Sequence, residues 1–284
     1  MAGKESFDIK VNKETCTKCG ACVDTCPAHI FYMESGEIEN RYQEHCIMCG
    51  HCVCVCPEDA VIHPGLNTDD FVDIKKGMEI DKERLYHFLR SRRSCRAFKE
   101  KGVSRDVLEE LIDIGRLAPT AHNWQNVEFI VISDKKNVEK LSKITSEFFG
   151  TMAKNLEANR ESLPEYLQGL IHGAKLNYEF SQAGKDRIFR GAPAVIITHG
   201  GTANPSITEN CHYAVANIVM MAHSMGLGAT IIGYLVGAAP HSPEIMKQLK
   251  IPEGNQVYGC VALGYPKRKY LKMPTRNSAA VEWR

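Results

Sequence analysis

Two regimes of hydrophobic patterning divide the chain. Before residue 66 the apolar side chains come in short pieces, His29-Ile30-Phe31-Tyr32 and Ala60-Val61-Ile62, each long enough only for a small strand. After residue 80 the spacing turns helical. Asp81 predicts an N-cap for a helix through about Ser91, with Leu85, Phe88 and Leu89 on one face. Ser104 predicts the next cap, ahead of Val107, Leu108, Leu111, Ile112 and Gly115, and Pro119 marks the stop. The run Val127 to Ile132 predicts a buried strand, and a charged helical stretch follows to about Gly150. Residues 151–190 read as helix interrupted at Pro164 and Gly184. Ala194 to Thr198, Thr230 to Ile232 and Val257 to Leu263 predict three further strands. Asn204-Pro205 opens a helix to Gly226 whose few charges and many small residues suit a buried centre. Ser242-Pro243-Glu244 opens another. Beyond Gly264, Pro266, Pro274 and four basic residues before position 273 predict an extended arm.

The cysteines change this picture of an ordinary globular chain. There are twelve in 284 residues, and nine lie between Cys16 and Cys56. The stretch CTKCGACVDTCP (16–27) recurs as CIMCGHCVCVCP (46–57), with four Cys, one Gly, one Val and one Pro in register. The opening residues lack the apolar core of a signal peptide, so a cytoplasmic chain with reduced thiols is expected. No apolar run approaches the ~18 residues of a membrane span. Charge is split as well. Residues 1–66 carry five basic against ten acidic side chains, a net of −5, and residues 67–284 carry 30 against 24, a net of +6. The whole chain is near neutral, which gives no reason to expect nucleic acid.

The spacing C-x2-C-x2-C-x3-C-P is a ligand pattern for [4Fe–4S] clusters, in which three close thiolates hold one cluster and the fourth reaches the other. Gly20 and Gly50 let each loop turn close to its cluster. Applied here, cluster one takes Cys16, Cys19, Cys22 and Cys56, and cluster two takes Cys46, Cys49, Cys52 and Cys26. The alternative, zinc, uses two CxxC pairs or Cys/His sets, which these two runs of four do not suit. Over about sixty residues the segment resembles the two-cluster bacterial ferredoxins, with all eight ligand positions and both prolines present. Cys54 is expected to be a spare packed thiol and His51 an exposed side chain.

Ser91-Arg92-Arg93-Ser94-Cys95-Arg96 packs three guanidinium groups and two hydroxyls into six residues, a set suited to phosphate. Some 25 residues later Ala118-Pro119-Thr120-Ala121-His122-Asn123-Trp124-Gln125 leads into a strand. In this order the two motifs resemble the nitroreductase family of flavin enzymes. Its R-x-S-x-[RK] motif is matched by Arg92, Ser94 and Arg96, with Arg93 between, and its A-P-[ST]-x-x-N-x-Q-P-W motif by Ala118, Pro119, Thr120, Asn123 and Gln125. Asn126 and Val127 stand where Pro-Trp is usual, which bears on the substrate pocket. Gly226 to Gly233 resembles the family's G-L-G-x-x-W-I-G strand, with Ile231 at the Trp position. Ile251-Pro252-Glu253-Gly254 and Gly264-Tyr265-Pro266 match its closing segment.

The resemblance implies an α+β fold: a ferredoxin-like two-cluster domain (1–66), a linker (67–80), and an α+β sandwich with a mixed, mainly antiparallel sheet (81–284). It implies FMN as cofactor, contacted by Arg92, Arg93, Ser94, Arg96, Asn123, Gln125, a backbone N–H at Gly233, and Arg276 in preference to Lys272. It implies an intertwined homodimer, with FMN at the interface and the basic tail reaching over the partner. His122 and Trp124 are candidates for the pocket lining, His122 more readily as a structural histidine. Cys95, Cys211 and Cys260 are expected to be inert packed thiols. Joined to two clusters, the expectation is an FMN-dependent oxidoreductase that reduces a small organic molecule. It would be fed by reduced ferredoxin or another low-potential donor, where the family ordinarily uses NAD(P)H. The rivals are a non-catalytic iron–sulfur and flavin carrier, and a specialised reductase of a ring or carbon–halogen bond.

Overall fold

The 30-residue repeat is a repeat of backbone conformation as well as of letters. Lys18 and Met48, Gly20 and Gly50, and His29 and Asp59 all take positive φ, pairwise in register. Gly20 (φ 79°) and Gly50 (φ 73°) precede equivalent short helices, α1 (Ala21–Thr25) and α2 (His51–Cys54). In the computed structural model, which describes residues 7–284, these helices belong to the first of two units. That unit runs through Glu79 and takes in His122–Trp124, while Ile80–Ala121 and Gln125–Arg284 form the second.

In the first unit, β1 (Lys10–Val11) pairs antiparallel with β4 (Val61–Ile62), and β2 (Phe31–Glu34) pairs antiparallel with β3 (Glu37–Asn40). The two short apolar pieces therefore become strands. Ile9, Ile30, Phe31, Ile38 and Val61 bury with Cys22, Cys26 and Cys52 into one small core. Of the expected linker, residues through Glu79 group with this unit. Phe71 and Leu66 lie against Gly50, where a Cβ would meet Phe71 Cζ at 3.2 Å.

The second unit is built on four strands, β5 (Glu128–Ile132), β6 (Ala194–Gly201), β7 (Gly228–Ile231) and β8 (Asn255–Gly264), in the order β5-β6-β8-β7. Every pairing among them is antiparallel. A parallel bridge between Ser94 and Ala229 adds the mixed character. The two central strands are apolar at nearly every position because helices cover both faces. On one face Val195, Ile197, Cys260 and Ala262 pack with Leu141 of α5 (Lys135–Glu157), Leu235 of α8 (Gly233–Ala238) and Ile245 of α9 (Pro243–Leu249). On the other, Ala194, Ile196, Val261 and Leu263 pack with Leu108 and Leu111 of α4 (Arg105–Arg116) and Ile218 of α7 (Ile207–Ser224). The period-2 alternation of strands and the helical stripes thus meet in a three-layer sandwich.

The remaining helices are α3 (Lys82–Ser91), capped by Asp81, whose side chain accepts the Arg84 N–H, and α6 (Glu165–Gln182). Three expectations are corrected. Helix α5 does not stop near Gly150 but continues to Glu157, and the glycine lets the Tyr178 ring of α6 approach closely, so that a Cβ would sit 2.5 Å from Tyr178 Cδ2. Helix α7 begins at Ile207 rather than at Asn204-Pro205, since Asn204 Oδ1 folds back to accept the Ser206 N–H. Helix α8 follows β7 directly, where the apolar run hid it. Among the described residues no helix is long and apolar enough to cross a membrane.

Candidate cluster and flavin sites

The eight expected ligands fall into two sets of four, divided as the spacing rule requires. Cys16, Cys19, Cys22 and Cys56 line one small cavity, with Gly20 and Ala60 beside them. Cys26, Cys46, Cys49 and Cys52 line another, with Gly50, Pro27 and His63. Each set borrows its fourth cysteine from the other repeat, so neither is complete alone. Among the described residues no His, Cys, Asp or Glu side chains are grouped as a single-ion site. The thiols line two separate spaces. Backbone amides aim at sulfur in both sets: Met48 N–H donates to Cys46 Sγ (3.3 Å) and Ala60 N–H to Cys56 Sγ (3.2 Å). Burial raises the Cys22 thiol and pushes Cys52 up to about 12.

His63 lies in the second set and escaped the sequence reading. It is 3% exposed. Its Nε2 is 3.3 Å from Cys46 Sγ and its Nδ1 accepts the Gly65 N–H at 3.2 Å. Burial holds its pKa below the ordinary histidine value. The signal was the repeat itself, because His63 occupies the position of Met33 thirty residues on. Cys54 lines neither cavity and is exposed rather than packed, since it faces outward on α2. His51 is exposed as expected.

In the second unit the basic motif is tied to the edge of the sheet. Cys95 N–H donates to Ala229 O (2.9 Å), and Lys99 N–H to Tyr265 O (2.8 Å), so residues 94–99 run beside β7 and the chain after β8. Two basic groups result. Arg92 is half-buried, and burial first, then the charges of Arg93 and Arg276, hold its pKa below the usual arginine value. The tail is thereby brought back to the motif, and Tyr270 Oη also donates to Ser94 O (3.1 Å). The other group lines a cavity of about 310 Å³ formed by Arg96, Ile188, Arg190, Thr230, Ile231, Ile232, Gly233 and Tyr234. Arg190 was not anticipated; burial, and then the charge of Arg187, lower its pKa. Gly233 opens α8, so its backbone N–H has no acceptor within the helix.

The other motif is held from behind. Asn210, 1% exposed on α7, accepts the Ala121 N–H at Oδ1 (3.1 Å) and donates from Nδ2 to Asn126 Oδ1 (3.1 Å). Gln125 N–H donates to Thr120 Oγ1 (2.9 Å), and the Gln125 side chain is exposed. Asn123 groups with the first unit, where its Nδ2 donates to the carbonyls of Ile47 (3.1 Å) and Met48 (2.9 Å). His122 and Trp124 are exposed, with ring centroids 5.1 Å apart. Cys95, Cys211 and Cys260 are all buried, and burial raises each thiol, Cys211 to about 11, which leaves them protonated and inert.

Residues 89–265 match the model of the nitroreductase family, which is more than half of the chain. The chain belongs to the nitroreductase family. Residues 15–61 match the 4Fe-4S dicluster domain. An oxygen-insensitive NADPH nitroreductase of Helicobacter pylori is 31% identical over 162 residues, covering 54% of this chain and 76% of that protein. An FMN reductase [NAD(P)H] of Bacillus subtilis is 24% identical, covering 68% and 70%. Among solved structures, an FMN-bound nitroreductase from Bacteroides fragilis aligns at TM-score 0.56 and 22% identity, covering 72% of this chain and 99% of that one. An FMN-bound nitroreductase from Desulfitobacterium hafniense aligns at TM-score 0.53 and 22% identity, covering 72% and 100%. The nitroreductase fold of the second unit and the dicluster character of the first follow. The chain is an oxidoreductase of nitroreductase type.

Proposed function

We propose that this nitroreductase-family chain is an FMN-dependent oxidoreductase that takes in electrons through its own two [4Fe–4S] clusters and reduces a small organic acceptor. The observation that carries the reading is the pairing, in one chain, of two four-cysteine cavities with two groups of arginines around the nitroreductase motifs. When bound, FMN links one-electron carriers to two-electron reduction of a substrate. The chain's residues bind and orient. Arg92, Arg93 and Arg276 supply the charge for a phosphate, with Ser94 beside them. Arg96, Arg190 and the Gly233 N–H line the cavity that would take the ring system. Gln125 completes the proposed set within the second unit.

The proposed donor is reduced ferredoxin or a similar low-potential protein with a basic docking face, because residues 1–66 carry a net charge of −5. The proposed setting is a reducing cytoplasm, where twelve thiols keep their hydrogens or bind metal. The proposed assembly is a homodimer. Leu85, Tyr86 and Leu89 on α3, and Leu271, Val281 and Trp283 in the tail, leave large apolar surfaces exposed in the single chain that a second copy would cover. The test is anaerobic purification with iron, sulfide and flavin quantified, followed by turnover of a nitroaromatic or quinone with ferredoxin and with NADPH as alternative donors. About eight irons and eight sulfides per chain are expected from two clusters, together with one FMN. Stoichiometric zinc without sulfide, or a chain that binds no flavin when FMN is added, would sink the reading.

A further inference from the structure

The two cysteine sets are alike in spacing and fold, and each has a backbone donor to one sulfur, yet among the described residues only one has a buried imidazole against an expected ligand sulfur. We propose that His63 tunes the cluster held by Cys46, Cys49, Cys52 and Cys26, donating from Nε2 to the Cys46 sulfur and raising that cluster's reduction potential. The inference rests on the two-cluster reading above.

The tautomer follows from the neighbours. Gly65 N–H donates to His63 Nδ1 at 3.2 Å, so Nδ1 is the acceptor and a neutral ring must carry its hydrogen on Nε2. That nitrogen is the one 3.3 Å from Cys46 Sγ. The ring is wedged in place by Phe7, with centroids 5.5 Å apart. Gly65 can approach because it has no side chain: a Cβ there would stand 2.6 Å from Phe7 Cδ1 and 3.2 Å from His63 Cε1. Reduction adds one electron to a cluster and makes its sulfurs more negative. A fixed N–H donor therefore stabilises the reduced form more than the oxidised form.

Each set already has a backbone donor, Met48 N–H to Cys46 in one and Ala60 N–H to Cys56 in the other. His63 is the addition. Its counterpart in the repeat, Met33, is an exposed thioether with no hydrogen to give. Exposure of Cys19 works in the opposite sense, because water also raises the potential of the first cluster. The inference therefore concerns the increment His63 adds to its own cluster rather than the order of the two.

The experiment is a reductive titration of the full-length protein with dithionite as the one-electron donor, each cluster followed by electron paramagnetic resonance. Iron and sulfide are measured first; zinc without sulfide removes the cluster reading, and this inference with it, before any potential is read. In His63→Leu one of the two potentials is expected to fall, cutting the ratio of reduced to oxidised cluster about tenfold at a fixed potential, ~59 mV for one electron. His63→Gln keeps an amide donor and should recover most of the shift, and Met33→Leu should move neither potential. A His63→Leu protein with full iron and both potentials unchanged overturns the assignment, as does a His63→Gln protein shifted as far as His63→Leu. If the leucine variant fails to hold iron, unmodified protein labelled with 15N-histidine decides. A histidine nitrogen coupling on a reduced cluster supports the bond, and its absence refutes it.

Discussion

FMN retention should depend on Arg92 more than on any other cation of the second unit. Arg92 follows α3 as its C-cap and is half-buried, with Arg93 and Arg276 near enough for their charges to depress its pKa. Three guanidinium groups held together repel one another until an anion arrives between them. A hydrogen bond to a charged group contributes about 1.5–3 kcal/mol, and each ~1.4 kcal/mol is tenfold in affinity. Arg92→Ala should therefore weaken FMN by about 10- to 150-fold. Arg276 is exposed, so water screens its charge, and its replacement should cost about fivefold or less. The assay is titration of apoprotein with FMN by quenching of flavin fluorescence, repeated at high salt, where the wild-type advantage should shrink. Arg105→Ala, which breaks a surface pair with Glu109 on α4, should leave the affinity unchanged. The apo variant Arg92→Ala should melt no lower than wild type, because the group removed faces like charges. An Arg92→Ala protein that binds FMN within threefold of wild type refutes the reasoning. A loss of binding accompanied by a large drop in melting temperature does so too.

Three further outcomes are expected. Cys56→Ser replaces a ligand of the first set with a poor iron ligand; FMN content should stay near wild type while ferredoxin-driven reduction slows severely, and equal turnover would take that cluster off the electron path. Gly259→Ala places a Cβ 2.5 Å from Thr198 Oγ1 and 2.7 Å from Val215 Cγ2, an overpacking of about 1–3 kcal/mol that should lower the melting temperature by several degrees. His199 is buried in β6, and burial depresses its pKa although Glu128 pulls the other way. The unfolded chain then binds the proton more tightly, so stability is whole above about pH 6.5 and declines as pH falls below it. His199→Gln should reduce that slope between pH 5 and 7 in thermal melts, and identical slopes would exclude the residue.

What could be read from the letters was whatever a local rule governs. Asp81 and Ser242 cap their helices as their residue types suggest, and the cysteine sets follow from spacing alone. What was hidden depends on partners far along the chain. Gly150 looks like a helix end, yet it is a helix interior made hollow for Tyr178. The run Gly233-Tyr234-Leu235-Val236 continues β7 in composition, and only the turn onto the core makes it α8. Arg190 is an ordinary letter until folding brings Arg96 beside it, and His63 differs from its repeat counterpart Met33 but gains its meaning only beside Cys46. Asn210 could not be picked from a helix of small residues, because its role is to hold a loop 84 residues earlier at Asn126.

The strand order has a consequence for how the protein is made. β8 is the last strand in sequence and sits between β6 and β7, with Ala194 opposite Leu263 and Ala229 opposite Leu263 from the other side. During translation β7 has only the bridge from Ala229 to Ser94, and β6 only β5, until the β8 residues through Gly264 have been made. The central pairings of the second unit's sheet therefore form only once the last strand has been made, a non-local closure that slows folding. The first unit is on a different clock. All eight of its proposed cysteine ligands have been synthesised by Cys56, so both cysteine sets are complete in sequence long before the last strand of the second unit is made.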